Sequence, residues 1–500
     1  MISNIIRTIA RLKLALLIMI LFCMMNPSLD KPCQWDQYLG NPGRSAYVDY
    51  NGPSSPEILW EVEFRDYTGT PFVSGEKVIV VYRYPSHPYP AYRIASIDLL
   101  TGTLDEAVTN VRGISGACPA GDLIIGLSVC WLYRIDPVSG EAVFDIRVSG
   151  ELWNTCEPHC YPIVLPDKIV LSTSPVVCLS RADYSELWNL KSSLGSIYPE
   201  DARTRMIAAS SERIHVIVQT EKEARLWTVD SSTGELLWAD DNFGIWEIAT
   251  DGPTVFGRAR ENLYALNAET GKLLWEFQTN PILSNVAAGE NEVFFTTETM
   301  LYAVDKFSGK LKWEKEWKGS YPWTTYVIGA GDIVICSNVY NLSAFSVADG
   351  TELWNVHFQD YVDRLRVKPC PAVTEGILIV VGKDPFKSLI AFASDPDLFV
   401  RQGDAFLSMN LHEKAINSYR KAAELYERGE DFSKAEEIQE TIYKLENQLQ
   451  TAPPETPSSE IEPKPSIFQL FPLVVLALIS ISIAGVILAY CCIMRRRVRE

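Results

Sequence analysis

Positive charge is scarce in this sequence. Lys and Arg number 45 against 63 Asp and Glu, for a net charge of −18 over 500 residues. The basic residues gather at the two ends: Arg7, Arg11 and Lys13 near the start, and Arg495, Arg496, Arg497 and Arg499 against Glu500 at the finish. The intervening body therefore carries −24, and an acidic body repels nucleic acid and anionic lipid, so neither is expected as its partner. Catalytic signatures are missing too. No Ser-x-x-Lys, Gly-x-Ser-x-Gly, phosphate loop or His-Glu-x-x-His occurs, which removes the best-marked hydrolase, nucleotide-binding and metalloprotease classes. Histidine is rare: His87, His215, His357 and His412 stand alone and read as ordinary surface or sheet residues. Hydrophobic residues at 47% and charged ones at 22% still describe a chain able to build a core, so wholesale disorder is excluded.

Long apolar runs are absent from the body and confined to the ends. Leu14–Met25 (LALLIMILFCMM) is a short apolar stretch behind a basic start, so residues 1–28 read as a signal peptide or an amino-terminal anchor. Residues 467–494 are uncharged and long enough to cross a bilayer, and the basic tail 495–500 follows at once. Basic residues beside a span stay cytoplasmic. The expected layout is a single-pass cell membrane protein with its body outside and its carboxyl terminus inside. An exterior body permits disulfides among Cys33, Cys118, Cys130, Cys156, Cys160, Cys178, Cys336 and Cys370, with connectivity left open.

What the body does contain is repetition. LYALNAETGKLLWEF (263–277) returns as LYAVDKFSGKLKWEK (301–315) and LWTVDSSTGELLWAD (226–240). Alternating apolar residues on both sides of a Thr-Gly or Ser-Gly turn make an antiparallel hairpin, with glycine supplying positive φ at the last turn position. The turn glycines are Gly102, Gly140, Gly234, Gly271, Gly309 and Gly350; a further copy at 177–188 keeps its Trp and has lost its glycine. The phrase recurs about every 40 residues, the period of a four-stranded propeller blade. An apolar strand precedes each copy, for example Lys77–Tyr82, Lys168–Leu171 and Glu292–Phe295. Ile58–Glu63 has the outer strand of a blade without its inner ones, and Ile377–Val381 with Leu389–Ala393 has inner strands without an outer one. Joined, they close a ring and hide its edges. The expectation is an all-β, eight-bladed propeller over residues 34–394.

The pattern Asp-x-x-Thr-Gly-x-x-x-Trp, together with the lead-in Trp35-Asp-Gln-Tyr-Leu-Gly-Asn-Pro-Gly-Arg44, resembles the repeats of quinoprotein-type (PQQ-like) β-propellers. That family includes pyrroloquinoline-quinone (PQQ) alcohol dehydrogenases and the barrel-assembly lipoprotein of bacterial outer membranes. The resemblance implies the fold and leaves the function open between enzyme and scaffold. Its enzymes bind quinone on the axis beside calcium, with a catalytic Asp and often a disulfide between adjacent cysteines. Here the one adjacent pair, Cys491-Cys492, lies in the apolar carboxyl-terminal segment. No catalytic or cofactor-binding residue is assigned, and Asp240, Asp241 and Asp251 read as loop acids.

Trp60, Trp188, Trp238, Trp275, Trp313 and Trp354 share one repeat position, with Phe144 and Glu106 standing there in the two departing blades. A ligand-stacking row is one reading. The better one is packing, each indole wedged between neighbouring blades, as the family's docking tryptophans are. Glu106 suggests a loosely packed first blade, whose inner loop 83–92 is rich in Tyr and Pro. Cys156, His159 and Cys160 are the one metal-like cluster, three positions on zinc without an identifiable fourth; a disulfide within an exterior loop is the commoner outcome for such a pair. Asn341-Leu-Ser343 is a glycosylation sequon.

After Pro396 the period changes to 3.6. Phe399, Gly403, Phe406, Ala415, Tyr419 and Ala422 match the small/large pattern of a tetratricopeptide-like (TPR-like) hairpin, and a third helix follows within 396–450. Residues 451–466 (TAPPETPSSEIEPKPS) form a Pro-rich stalk. The first functional reading is a non-enzymatic, membrane-anchored scaffold for protein partners at a prokaryotic cell envelope, an archaeal one included. The alternatives are a membrane-tethered PQQ oxidoreductase, which alone needs PQQ and calcium, and an exterior sensor acting through a partner subunit.

Overall fold

The structure is a computed structural model that describes residues 34–451 except 36, 65–68, 85–90, 109–113, 115, 122, 129–130, 150–160, 241–242, 318–324, 339–340, 358–369 and 383–387. The leader, most of the stalk, the apolar segment 467–494, the tail, Cys156, His159 and Cys160 lie outside the described residues, as do Cys33, Cys130 and most of the loop 83–92. Among the described residues no helix is long and apolar enough to cross a membrane.

Eight antiparallel sheets form the eight blades of a β-propeller. Blades 1 to 7 take residues 72–108, 116–147, 163–189, 203–239, 247–278, 287–316 and 326–357. Blade 8 joins the termini of the ring. Its inner strands Ala372–Thr374, Ile377–Gly382 and Ser388–Ala393 come late in the chain, and its outer strand Glu57–Glu63 comes early. The composite blade expected from Ile58–Glu63 and the two late strands is therefore present.

Burial grades outward along each blade. In blade 8, Ile377–Gly382 and Ser388–Ala393 are buried at every position, the continuous apolar run of strands covered on both faces. In blade 6 the outer strand Leu311–Glu316 buries Trp313 alone. Inner strands are made by hydrophobic continuity, and in six of the eight blades the outer strand is held by one indole. The turn glycines expected at positive φ lie between +67° and +73°. In blade 3, Tyr184 takes that place at φ +61°, and its ring lies 4.6 Å from the Arg134 guanidinium.

Two expectations change. Glu106 is no gap in the packing of blade 1: its carboxylate accepts from Tyr82 Oη at 2.6 Å and pairs with Arg93 at 2.9 Å. A local polar network replaces the missing indole. Nor are Cys178 and Cys336 parts of a disulfide framework; both are buried thiols inside sheets. Burial pushes the Cys178 thiol up to about 12 and raises that of Cys336 as well, because a thiolate is poorly solvated there.

Three helices follow the ring: α1 (Pro396–Ser408), α2 (His412–Arg428) and α3 (Phe432–Thr451). Asp395 caps α1, accepting from Asp397 N at 2.9 Å, and Pro396 occupies the first turn, where its missing N–H is harmless. A Cβ on Gly403 would sit 2.6 Å from the Tyr419 ring, so glycine is what lets α1 and α2 approach. Phe399, Phe406, Ala415, Tyr419 and Ala422 are all buried. The second compact unit, 440–500, contributes the end of α3 to the described residues, with a Lys444–Glu440 ion pair at 2.8 Å.

Candidate functional site

One end of the propeller axis is filled by the lead-in segment. Gln34 and Trp35 pair with Ser74 and Val73 of blade 1, and Tyr47 and Val48 run parallel to Gly329 and Ala330 of blade 7. Between them the chain visits the ring in turn. Gln37 exchanges two hydrogen bonds with the Val164 backbone of blade 3. Carbonyls of Pro42, Gly43 and Ser45 accept from Ala209, Thr250 and Ala288 of blades 4, 5 and 6, and that of Asn51 accepts from Gly376 of blade 8. Seven blades are thereby stitched to one strap at the carboxyl ends of their innermost strands.

The strap's side chains complete a plug. Trp35 and Leu39 are fully buried, and Tyr38 stacks on Tyr161 with ring centroids 4.8 Å apart. Arg44, also buried, donates to Tyr161 O at 3.2 Å and lies over the Tyr38 ring. Leu39, Arg44 and Ala46 have φ between +49° and +57°, a conformation non-glycine residues keep only where surroundings enforce it. A Cβ on Gly43 would fall 2.2 Å from Thr250 O. The sequence quotes this lead-in, but its path across the axis was not legible.

The shared tryptophan position has one geometry around the ring. Each indole donates its N–H to a backbone carbonyl of the next blade, five of them in its turn: Trp60 to Leu99, Trp188 to Ser231, Trp238 to Ala268, Trp275 to Lys306 and Trp313 to Val347, while Trp354 donates to Pro53 ahead of the outer strand of blade 8, all between 2.8 and 3.1 Å. The turn glycine of that next blade lies against the same ring. Cβ atoms built on Gly102, Gly234, Gly271, Gly309 and Gly350 would come within 2.6–2.8 Å of Trp60, Trp188, Trp238, Trp275 and Trp313. Backbone register sets Phe144 opposite Arg134. The turns themselves are pinned from within, since Asp98, Asp136, Asp230, Asn267 and Asp305 accept backbone N–H bonds from residues two or three further on, the Asx-turn device.

The other residues read from sequence have structural neighbours. Asp240 is buried and accepts from Leu226 N and Phe243 N. Asp251 pairs with Lys306 at 2.8 Å, joining blades 5 and 6; Asp241 lies outside the described residues. His215 is buried, its Nδ1 is hydrogen-bonded to Thr228 Oγ1 at 2.8 Å, and burial pushes its pKa down to about 3. Asn341 Oδ1 contacts His357 Nδ1 at 2.7 Å. A cleft of about 380 Å³ opens between blades 4 and 5, lined by Ser210, Glu212, Arg213, Pro253 and Asn267 among others. Calcium beside a quinone needs several convergent oxygen donors. Among the described residues no group of three or more His, Cys, Asp or Glu comes together to hold a metal.

The helices are seated on the seam where the ring closes. Gln402 Nε2 donates to two carbonyls at once, Leu59 of blade 8 at 2.8 Å and Leu100 of the blade 1 turn at 2.9 Å. Gln402 Oε1 accepts from Ser418 Oγ of α2. Glu57 receives Lys421 at 2.6 Å and Arg428 at 2.5 Å. Burial alone would raise the Glu57 carboxyl, but the two cations outweigh it and hold its pKa below the ordinary value.

Residues 259–397 match the family model described as outer membrane protein assembly factor BamB. Over those residues the chain is similar to that family, and its fold is an eight-bladed β-propeller. Among solved structures it is similar to the quinohemoprotein alcohol dehydrogenase of Comamonas testosteroni, with TM-score 0.55, 11% identity, and 76% of this chain and 86% of that one covered. A second such dehydrogenase, ADHIIG of Pseudomonas putida, gives TM-score 0.51 at 11% identity over 72% and 80%. BamB of Moraxella catarrhalis gives TM-score 0.48 at 11% identity over 68% and 99%. At such identities the likeness speaks to the fold. Comparison with curated proteins finds no match.

Proposed function

We propose that this PQQ-like propeller is a non-enzymatic scaffold that binds protein partners at the cell envelope, held there by its carboxyl-terminal apolar segment 467–494 with the body outside. The observation that carries the reading is the plug. A strap hydrogen-bonded to seven blades occupies one mouth of the axis, and it makes the ring a rigid platform whose rim and loops are left for recognition. The match of residues 259–397 to an assembly-factor model supports the same class. Under this reading the helices α1 to α3 are a TPR-like module, the stalk holds the body off the lipid, and tethering raises the local concentration of scaffold and partner.

The fold likeness to two quinohemoprotein alcohol dehydrogenases supports a second reading, a tethered PQQ oxidoreductase. One experiment separates the two. Purified protein is incubated with pyrroloquinoline quinone and calcium and assayed for dye-linked oxidation of alcohols and sugars. The scaffold reading expects no turnover and a reproducible cross-linked partner in intact envelopes. Quinone-dependent turnover would overturn it.

A further inference from the structure

The seat of the helices on blade 8 has three parts. The first is a β-bulge one residue before the docking tryptophan. Leu59 falls between the paired positions Ile58 and Trp60, outside the ladder, and the helices leave it 6% exposed. The second is a pair of carbonyls, Leu59 and Leu100, that accept from the single amide of Gln402. The third is a charge three residues before the tryptophan, Glu57, which receives Lys421 and Arg428.

A propeller repeats its parts, and the same bulge recurs. Leu187, Leu237, Leu274 and Leu353 each precede their tryptophan and are exposed. Only around blades 5 and 6 does the remainder of the apolar seat recur among the described residues. There Leu274 is 52% exposed, and Phe307, at the turn position of Leu100, is 72% exposed; Leu273 and Leu311 on the outer strands of the same two blades are exposed as well. Elsewhere that turn position is Ser232, Glu269, Ala348 or another residue too small or too polar to serve, apart from Val138, whose neighbouring blade 1 has no bulge. The charge is inverted. Where Glu57 stands on blade 8, blade 5 has Lys272 and blade 6 has Lys310, both exposed and without an ion-pair partner among the described residues.

We infer that the rim between blades 5 and 6 seats an amphipathic helix of a partner protein, with a Gln or Asn in its apolar face and acidic residues flanking it. The apolar side chains supply the contact, the amide reads the paired carbonyls, and the lysines select the charge. This chain's own α2 does not fit, because Lys421 and Arg428 would meet Lys272. Two lysines on a body of −24 also give an acidic helix a local target. The inference rests on the scaffold reading and names its partner class.

The test uses the full-length protein in detergent and two synthetic helical peptides that differ only in charge. Both carry a Leu-rich face with one central Gln; one is flanked by Glu, the other by Lys. The acidic peptide is expected to bind the wild type, to bind Phe307→Asp about tenfold more weakly, and to lose to the basic peptide on a Lys272→Glu, Lys310→Glu double variant. Melting temperatures should stay put, since these side chains are exposed. Equal binding of the two peptides, no binding of either, or indifference to Phe307→Asp overturns the inference. So does self-cross-linking through a photoreactive group at position 307, which would put a second copy on the patch. None of these outcomes removes the scaffold reading, which falls to quinone-dependent turnover instead.

Discussion

Trp354 of blade 7 donates its indole N–H to the carbonyl oxygen of Pro53 at 2.9 Å, across 301 positions of sequence. With Trp60, which donates to Leu99, it brackets the composite blade on both sides. Both indoles are buried. Removing either should therefore cost a cavity and a hydrogen bond, about 3–5 kcal/mol for Trp→Ala. Trp354→Ala and Trp60→Ala are expected to speed amide exchange first in Glu57–Glu63, because they free the outer strand of blade 8. Trp275→Ala should destabilise by a similar amount without that local signature. Exchange in 57–63 that is unchanged in all three would refute the bracketing role.

The turn glycine of blade 6 is constrained twice. Gly309 has φ +68°, and a Cβ there would lie 2.7 Å from the Trp275 ring. Gly309→Ala is expected to lose about 2–4 kcal/mol, combining left-handed strain with overpacking. Tyr184→Gly, at the matching turn of blade 3, relieves strain while losing the Arg134 contact, so its net change should stay within about 1 kcal/mol. Denaturant midpoints measure both, and a Gly309→Ala midpoint equal to wild type would remove the wedge argument.

The seat of the helices should be acid-labile. The folded pKa of Glu57 lies below its unfolded value. Its stabilising contribution is thus present above the unfolded carboxyl pKa, about 4.3, and is lost as pH falls through the folded value. Glu57→Gln is expected to cost about 1–2 kcal/mol at neutral pH, to weaken the dependence on salt, and to raise exchange in α1 and α2. Retention of full helix protection in Glu57→Gln at low salt would count against the ion pairs as the latch.

His215 sets a second pH dependence. It is buried and neutral, with a pKa pushed down to about 3 by burial and, secondarily, by Arg213. In the unfolded chain an ordinary histidine takes up a proton near pH 6.5. The unfolded state therefore binds more protons below that point, and folded stability declines as pH drops from about 6.5 toward 3. Between pH 6.5 and 5 the decline from this residue should approach about 2 kcal/mol. His215→Gln should flatten that part of the stability profile; an identical slope in the variant would rule the residue out.

The ring was legible because its signals are local and repeated. Asp305 to Trp313 contains the turn acceptor, the positive-φ glycine and the docking indole in nine residues, and the same order recurs in most blades. Glu106 misled for the converse reason: its partners Tyr82 and Arg93 lie on neighbouring strands, and nothing in the hairpin announces them. The plug is not legible in the sequence because its bonds join backbone groups far apart along the chain, such as Pro42 O and Ala209 N. Only the crowding of Gly40, Gly43 and Pro42 hinted at an unusual path. The seat on blade 8 was equally silent, since Gln402 looks like any polar residue of a helix until Leu59 and Leu100 are set beside it.

The strap and the composite blade impose an order on biogenesis. Trp35 and Glu57–Glu63 leave the ribosome among the first segments of the body, while Ile377–Gly382 and Ser388–Ala393 follow more than three hundred residues later. Until then the early strand has no mate and the strap has no mouth to enter. A nascent chain is thus an open, sticky arc, and the window for chaperone capture ends in a single late event.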